Sequence, residues 1–357
     1  MHSSLLSPDP VVAGVGDTEP VLSQDQVKSW REAGYTLVDG LFPDDLIASL
    51  RADALAAYPP PDSNEARAIK DFGSEGGFVF PSGSMAFNSV TLHPALLQAV
   101  AELLGTSVSG LRLTQSDLWP KYGVSETQTD THRKTRDIYD NQDQRIHVDY
   151  PNHMLAHPTP WHRPEAVEAI LYLSDVDDCG GPTAIVPRTG DDDPCYPWPI
   201  VDTPGVGELD YVNDRLSAED YMVKERPETA EFRAALYARE CYVCYRPGTL
   251  LLYRHDAWHR GTPLHPGTLR LAQNLSFRKA ECEWISTLHV GWAWQLYRRD
   301  RAFARLLASA SLDQRAVLGF PQPGASYWCE QTIEAVKARY GVFGMDMTPY
   351  VNFSHDQ

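Results

Sequence analysis

The sequence predicts a mainly β core with flanking helices, an α+β fold. Between about residues 111 and 280, short apolar segments are separated by Gly- and Pro-containing turns, which is typical of a β-sandwich or barrel. On both sides of this region, apolar residues recur at helical spacing. With 357 residues, 43% of them hydrophobic, the chain is long enough to bury a large core.

The N-terminal part, residues 21–110, is predicted to be largely helical. Ser23-Gln24-Asp25-Gln26 has the capping-box arrangement that opens a helix, and Gly34 is a suitable residue to end it. Further elements predicted in this part are a strand over 35–41, a helix between Pro43 and Pro59, and a helix over 96–104 that Gly105 closes.

The β region predicted over residues 111–280 is interrupted by two long polar insertions, 122–144 and 191–240. Long loops inside a compact domain are commonly lids, so both are interpreted as lids over a site. The predicted strands cover 111–119, 145–150, 169–173, 183–186, 241–245, 250–253 and 269–277.

The C-terminal part, residues 285–345, returns to helical patterns. Helices are predicted over 297–308, 311–319 and 330–340, the second opened by a capping box at Ser311. No internal repeat is present in the sequence. We therefore expect one domain over 21–357, preceded by a disordered polar leader over 1–20.

Net charge argues against two classes of partner. The chain carries 31 basic and 48 acidic residues, a net charge of −17, and it has no strong basic patch, so nucleic acid is not expected to bind. No apolar run is long enough to span a membrane, and the first 20 residues lack the pattern of a signal peptide. The expectation is a cytoplasmic protein with a small-molecule substrate and an oligomeric state that the sequence leaves open.

Six cysteines in a chain of this length do not indicate a disulfide scaffold. Cys241-x-x-Cys244 has the spacing of half a zinc site, but the second such pair that a structural zinc normally needs is missing from the sequence. The surrounding Cys-Tyr-Val-Cys-Tyr is interpreted as a buried strand instead.

The pattern with the clearest chemistry is His147-Val148-Asp149 together with His259. Two imidazoles and one carboxylate suit non-haem ferrous iron and leave coordination positions open. On a strand, residues i and i+2 point to the same face, so His147 and Asp149 would grip one ion while Ile146 and Val148 pack behind them. Histidines 132, 153, 157, 162, 255 and 265 are interpreted as surface or core residues.

Arg270 follows His259 by 11 residues, on a predicted strand with one apolar and one polar face. Charged side chains inside a barrel are costly unless they bind a ligand of opposite charge. Arg270 is therefore predicted to hold the carboxylate of an acidic co-substrate through a bidentate contact, with Ser276 on the same face as a possible helper.

These residues, taken together, resemble the phytanoyl-CoA dioxygenase family. The resemblance rests on His147-x-Asp149, on the segment from Leu171 to Pro182, and on His259-Arg260-Gly261 followed by Arg270. The flanking segments Gly34 to Gly40 and Gly319-Phe320-Pro321 are similar as well. The resemblance covers nearly the whole chain after residue 20.

The resemblance implies a double-stranded β-helix core of the jelly-roll or cupin type that binds Fe(II), 2-oxoglutarate and dioxygen. In the family the metal ligands correspond to His147, Asp149 and His259, and the arginine that pairs with 2-oxoglutarate corresponds to Arg270. Gln115 is a weaker candidate for a co-substrate contact. The loop that follows the third strand departs from the usual Pro-Gly-Ser-His, so its contacts are not carried over.

The function implied is hydroxylation of an unactivated C–H bond of a small molecule, with release of succinate and carbon dioxide. The presence of Asp149 argues against the halogenases of the superfamily, which need that ligand position vacant. Two alternatives stay open: a cupin-like metalloenzyme that performs a non-redox isomerisation or hydrolysis, and an inactive binding module. The isomerase or hydrolase would have no need for Arg270. The sequence does not identify the substrate.

Overall fold

The computed structural model describes residues 20–69, 78–123, 142–282, 301–317 and 320–351. Helix α1 begins with the expected capping box, in which Ser23 Oγ accepts from the amide of Gln26 and the Gln26 side chain accepts from the amide of Ser23. Gly34 ends it in the left-handed region, with φ 96°. The helices before the second strand are α1 (Gln24–Ala33), α2 (Asp44–Ala57), α3 (Asn64–Ala68), α4 (Met85–Thr91) and α5 (Pro94–Leu104).

The strands form two antiparallel sheets, so the fold is a mixed α/β structure as the sequence predicts. The large sheet has the order β1-β6-β3-β8-β2, and the small sheet has the order β5-β4-β7. Their bounds are β1 (Tyr35–Val38), β2 (Leu111–Tyr122), β3 (Ala166–Tyr172), β4 (Thr183–Ile185), β5 (Cys241–Tyr242), β6 (Leu250–Tyr253), β7 (His259–Gly261) and β8 (Leu269–Lys279).

The two faces of the large sheet have different surroundings. The outer face, with Leu171 and Leu275 among its residues, packs against the N-terminal helices in one buried cluster. Because side chains alternate along a strand, their neighbours point to the opposite, inner face. There Tyr172 packs with Ile185 of the small sheet, so the inner face lies towards the small sheet.

The strand predicted over residues 145–150 is only partly correct. Gln144 and His147 each form an isolated bridge, with Asp214 and His259 respectively, and no regular strand follows. Asp149 has a helical backbone, φ −88° and ψ −16°, because the chain turns there into the short helix α6 (Tyr150–His153). Ile146 and Val148 are buried behind this segment as predicted.

The buried strand predicted over residues 241–245 is also only partly correct. Regular pairing is limited to β5 at the edge of the small sheet, and both Cys241 and Cys244 are exposed. Val243 and Tyr245 are the buried members of this segment. The edge position explains the difference, since a strand paired on one side only leaves its other side open to solvent.

The remaining helices lie outside the sheets. They are α7 (Val176–Cys179), α8 (Arg215–Glu225), α9 (Ala230–Ala238), α10 (Ala302–Ser309), α11 (Leu312–Val317), α12 (Glu330–Tyr340) and α13 (Thr348–Val351). Helix α12 contacts the segment after α6, where Arg339 donates to the carbonyl of Ala156 and Tyr340 to that of Leu155. Across the described part of the chain, none of the helices has the length and apolar character that crossing a membrane requires.

The insertion 191–240 contains α8 and α9, and Asp193 links its two ends. This carboxylate accepts from Arg239 at 2.5 and 2.8 Å and from the backbone amides of Thr189 and Cys195 at 2.6 and 2.9 Å. The side chain of Asp193 is fully buried. The other insertion lies outside the described residues except at its two ends, as does the N-terminal leader up to residue 19.

Replacing Asp193 with alanine should lower the free energy of unfolding by about 2–4 kcal/mol, because the change leaves a guanidinium and two amides without their acceptor. Urea unfolding of the purified chain measures this difference. The matched control is Asp191→Ala, since the Asp191 side chain is fully exposed and its loss should change stability by less than about 0.5 kcal/mol. Equal effects of the two substitutions would contradict the role assigned to Asp193.

Candidate metal centre

His147, Asp149 and His259 converge at the edge of the small sheet. The backbones of His147 and His259 pair through two hydrogen bonds of 2.9 Å, which places the imidazoles side by side with ring centroids 4.5 Å apart. The Asp149 carboxylate lies 3.5 Å from His147 Nε2 and 3.2 Å from His259 Nε2. One ligand atom from each residue lies within 4.8 Å of the others, a spacing that one metal ion can bridge.

Both imidazoles are held in the orientation that metal binding requires. Nδ1 of His147 lies 3.0 Å from the carbonyl of Arg145, and Nδ1 of His259 lies 3.0 Å from the carbonyl of Ala257. A carbonyl only accepts, so each Nδ1 carries the proton and donates it. Each Nε2 lies towards Asp149 and is the atom available to a metal ion, as in metal sites whose second nitrogen is bound to the protein.

The charges at this centre favour a cation. Burial, together with the neighbouring His259, lowers the pKa of His147 to about 4, so this imidazole is neutral at pH 7. Burial alone would raise the pKa of Asp149, but the two histidines lower it well below its usual value. Burial alone would lower the pKa of His259, but the Asp149 carboxylate raises it. An ionised carboxylate between two imidazoles is a suitable donor set for a divalent ion.

Asp149 is itself fixed by neighbours in both its side chain and its backbone. Tyr253 on β6 donates its hydroxyl to Oδ2 at 2.6 Å, and the Asn152 amide lies 3.3 Å from Oδ1. The Asp149 amide donates to the carbonyl of His255 at 2.9 Å. Hydrogen bonds of this kind orient a ligating carboxylate and increase metal affinity.

Arg270 begins the inner face of β8, directly opposite Lys121 in the register. Its Nη1 donates to the carbonyl of Gly181 at 2.6 Å, whereas its buried Nε has no hydrogen-bond partner. In the part of the chain that the structure describes, Arg270 forms no ion pair. The rings of Tyr172 and Tyr245 are stacked, with centroids 4.0 Å apart. Arg270 lies near both rings, and its charge counteracts the rise that burial causes in the pKa of each tyrosine.

Gln115 and Ser276 lie opposite each other in the pairing of β2 with β8. Ser276 is on the same face of β8 as Arg270 but six residues further along. The Gln115 amide donates to Asp117 at 2.6 Å, and the Ser276 hydroxyl donates to Glu168. Their assignment to the co-substrate stays a prediction.

The sequence reasoning missed three polar residues in the neighbourhood of the metal centre: Asp117 and Glu168, which are buried, and His153, which is partly exposed. Glu168 lies opposite Ser276 and Tyr253 in the large sheet, and Asp117 lies two residues along β2 from Gln115, the other partner of Ser276. His153 ends α6, and its Nε2 is 3.8 Å from Glu168. The sequence signal that could have identified the two acids is the alternation of side chains along β2 and β3. Asp117 and Glu168 occupy inner-face positions of strands whose other face is mainly apolar.

Two other histidines have identifiable structural contacts. His157 is fully buried and accepts from the amide of Ile200 at 2.9 Å through Nε2, so it is a core histidine as predicted. His255 is buried beside the centre and contributes its carbonyl to the amides of Asp149 and Tyr150. His132 lies outside the described residues.

Comparisons with known proteins match this chain to a dioxygenase family and to two curated dioxygenases. Residues 30–270, about two thirds of the chain, match the family model described as Phytanoyl-CoA dioxygenase (PhyH). The chain is 25% identical over 191 residues to the ectoine dioxygenases of Bordetella parapertussis and Bordetella bronchiseptica. Each match covers 50% of this chain and 53% of the relative, so the chain spans about half the length of the curated relatives it matches.

Solved structures with a similar backbone include the non-heme alpha ketoglutarate dependent carbocyclase SnoK from nogalamycin biosynthesis. That likeness has a TM-score of 0.47 and 16% identity, and covers 74% of this chain and 88% of that chain. EctD from S. alaskensis gives a TM-score of 0.44 and 17% identity, covering 76% and 82% of the two chains. TM-scores under 0.5 do not support a functional conclusion.

Proposed function

The chain belongs to the phytanoyl-CoA dioxygenase (PhyH) family, and from this premise we propose that it is an Fe(II)- and 2-oxoglutarate-dependent dioxygenase. Its reaction is hydroxylation of an unactivated C–H bond of a small-molecule substrate. The observation that carries the proposal is the group formed by His147, Asp149 and His259, with both imidazoles held in the metal-binding orientation. Its core is a double-stranded β-helix within one domain, residues 21–357, and the insertions 122–144 and 191–240 are its lids.

The donor set fits ferrous iron. His147, Asp149 and His259 would hold the ion as two imidazole ligands and one carboxylate ligand, a set that would leave coordination positions free for 2-oxoglutarate and dioxygen. When bound, iron and 2-oxoglutarate supply the oxidising chemistry that converts C–H and dioxygen into C–OH, succinate and carbon dioxide. The protein's own part is to hold His147 and His259 through their Nδ1 protons and Asp149 through Tyr253.

Arg270 fits the far carboxylate of 2-oxoglutarate. Its buried Nε lacks a partner, and a carboxylate is the acceptor that a guanidinium binds through two parallel hydrogen bonds. Gln115 and Ser276 are the weaker candidates for co-substrate contacts, because they lie six residues further along the β2–β8 pair than Arg270 and already bind Asp117 and Glu168. A cupin-like isomerase or hydrolase has no need for a cation in this position, and for that reason we favour the oxygenase.

The direct test is the visible charge-transfer band that a chelate of Fe(II) and 2-oxoglutarate produces. We expect the band when both are added to the protein without oxygen, and succinate when oxygen is admitted. A protein that gave neither the band nor succinate would exclude this function. Succinate release across a panel of candidate compounds then identifies the substrate, because the correct substrate stimulates it.

Replacing Tyr253 with phenylalanine should weaken Fe(II) binding by about 10-fold or more, since it removes the hydroxyl that orients Asp149. Anaerobic titration of the charge-transfer band with Fe(II) measures the affinity. Tyr242→Phe is the control, because the Tyr242 side chain lies on the exposed edge strand. An unchanged affinity in Tyr253→Phe would show that this hydroxyl does not support the metal ligand.

A further inference from the structure

Two buried carboxylic acids lie on the inner face of the large sheet beside the metal centre. Asp117 is 6% exposed and Glu168 is 3% exposed. Each has one neutral donor: the Gln115 amide for Asp117 and the Ser276 hydroxyl for Glu168. The second oxygen of Glu168, Oε1, is buried and has no hydrogen-bond partner. A buried carboxyl oxygen without a donor is unfavourable and indicates a missing ligand.

Among the residues that the structure describes, no lysine or arginine forms an ion pair with either acid. The nearest basic side chain recorded for Glu168 is His153, whose Nε2 lies 3.8 Å from Oε1; burial lowers the pKa of His153, so it is neutral at pH 7. His259 also lies near enough to Glu168 for its charge to counteract the rise in the pKa of that acid, but it belongs to the metal centre. Burial, together with the charge of Asp149, raises the pKa of Glu168 to about 8, so this acid is mostly protonated at pH 7 and a cation placed against it would favour its ionised form. The positions do not require acids for packing, since Ile170 and Leu251 occupy the same inner face.

The inner face therefore has a basic end and an acidic end. Arg270 and Lys121 face each other at one end. Ser276 lies six residues further along β8, which is roughly 20 Å from Arg270 at the rise of a strand, and Glu168 is its partner on β3. The cationic end suits the anionic co-substrate. The acidic end lies beside the metal centre, because Glu168 is paired with Tyr253 and the Tyr253 hydroxyl donates to the metal ligand Asp149.

The side chains around this place are partly exposed. The side chains of His147, Asp149 and His153 keep 13%, 14% and 14% exposure, whereas that of Glu168 keeps 4%. His153 Nε2 lies 3.8 Å from Glu168 Oε1, so a ligand that lies against the exposed part of His153 comes close to this unpartnered oxygen.

We propose that Glu168 and Asp117 form a subsite for a cationic group of the substrate, a protonated amine or an amidinium. The inference rests on the proposed function and specifies the substrate class. An ammonium or amidinium group supplies the N–H donors and the positive charge that the two buried acids lack. The substrate is thereby anchored at the acidic end, with a C–H bond of its apolar portion presented to the metal centre.

The test compares n-hexylamine with 1-hexanol, a neutral molecule of the same length, by equilibrium dialysis against the full-length protein loaded anaerobically with Fe(II) and 2-oxoglutarate. We expect the wild-type protein to bind the amine at least about 10-fold more tightly than the alcohol. Glu168→Gln keeps the shape and the acceptor for Ser276 but removes the charge, and should abolish that preference. Asp117→Asn, which has a different hydrogen-bond partner, should reduce it as well.

The matched control is Glu231→Gln, an identical charge change at an exposed position of α9, which should leave the preference unchanged. Equal binding of amine and alcohol by the wild-type protein, or an undiminished preference in both subsite variants, would overturn the subsite. The charge-transfer band of the same samples separates the two proposals. A normal band without amine preference rejects the subsite alone, whereas amine preference without a band rejects the oxygenase.

Discussion

Replacing either Asp149 or His259 with alanine should reduce succinate formation to below about 1% of the wild-type rate. Losing a residue that merely orients a ligand costs about 10- to 100-fold in metal affinity or activity, and losing a ligand costs more. The remaining pair of ligands would not hold the ion in the arrangement of three protein donors that leaves three adjacent positions open. Both variants should also fail to form the anaerobic charge-transfer band.

Two exposed residues provide matched controls for these variants. Asp220→Ala lies on the exposed face of α8, and His162→Ala lies in an exposed turn before β3. Both should keep full activity, and thermal unfolding of all four proteins shows whether the ligand variants remain folded. Substantial succinate formation by folded Asp149→Ala or His259→Ala would contradict the assignment of these residues as metal ligands.

Local signals were sufficient to predict the outer elements. The capping box at Ser23, Gly34 after α1 and Gly105 after α5 each act within a few residues, so their effect is visible in the sequence. The alternation that places Arg270 on the polar face of β8 is equally local. The order of the strands in two sheets depends on contacts between distant segments, which one sequence does not display.

The path of the chain at Asp149 was not predictable in the same way. Spacing alone suggested that His147 and Asp149 share one face of a strand, but Asp149 has a helical backbone and reaches the centre because the chain turns into α6. The turn is stabilised by contacts remote in sequence, such as the carbonyl of His255 that accepts from the amides of Asp149 and Tyr150. His147, Asp149 and His259 lie together as expected, but the extended backbone expected at Asp149 was wrong.

The sequence did not single out Glu168 and Asp117, for a different reason in each case. Glu168 lies inside β3, but a strand predicted to begin at residue 169 excludes it. Asp117 lies in β2, just after a register irregularity between Leu113 and Gln115 that changes which residues share a face. A buried acid in a strand indicates a binding site only when no cation of the protein lies beside it. Which residues lie beside it depends on the fold and is not visible in the sequence.

Arg270 is the residue whose loss should separate co-substrate binding from metal binding. Its guanidinium contacts the carbonyl of Gly181 but no acid in the described residues, and its Nε is unpartnered. Hydrogen bonds to charged groups contribute about 1.5–3 kcal/mol, which corresponds to roughly 10- to 150-fold in affinity. Arg270→Ala should therefore raise the 2-oxoglutarate concentration required for half-maximal succinate formation by that factor, while Fe(II) binding changes little.

Arg270→Lys should give an intermediate requirement, because an ammonium keeps the charge but not the planar two-donor contact. The measurement is succinate formation across a 2-oxoglutarate series, with Fe(II) affinity determined on the same variants. Arg246→Ala is the control, since the Arg246 side chain is 69% exposed and pairs only with a surface acid. An unchanged requirement in Arg270→Ala would assign the co-substrate carboxylate to another cation, and the nearest alternative by register is Lys121, which faces Arg270 across the β2–β8 pair.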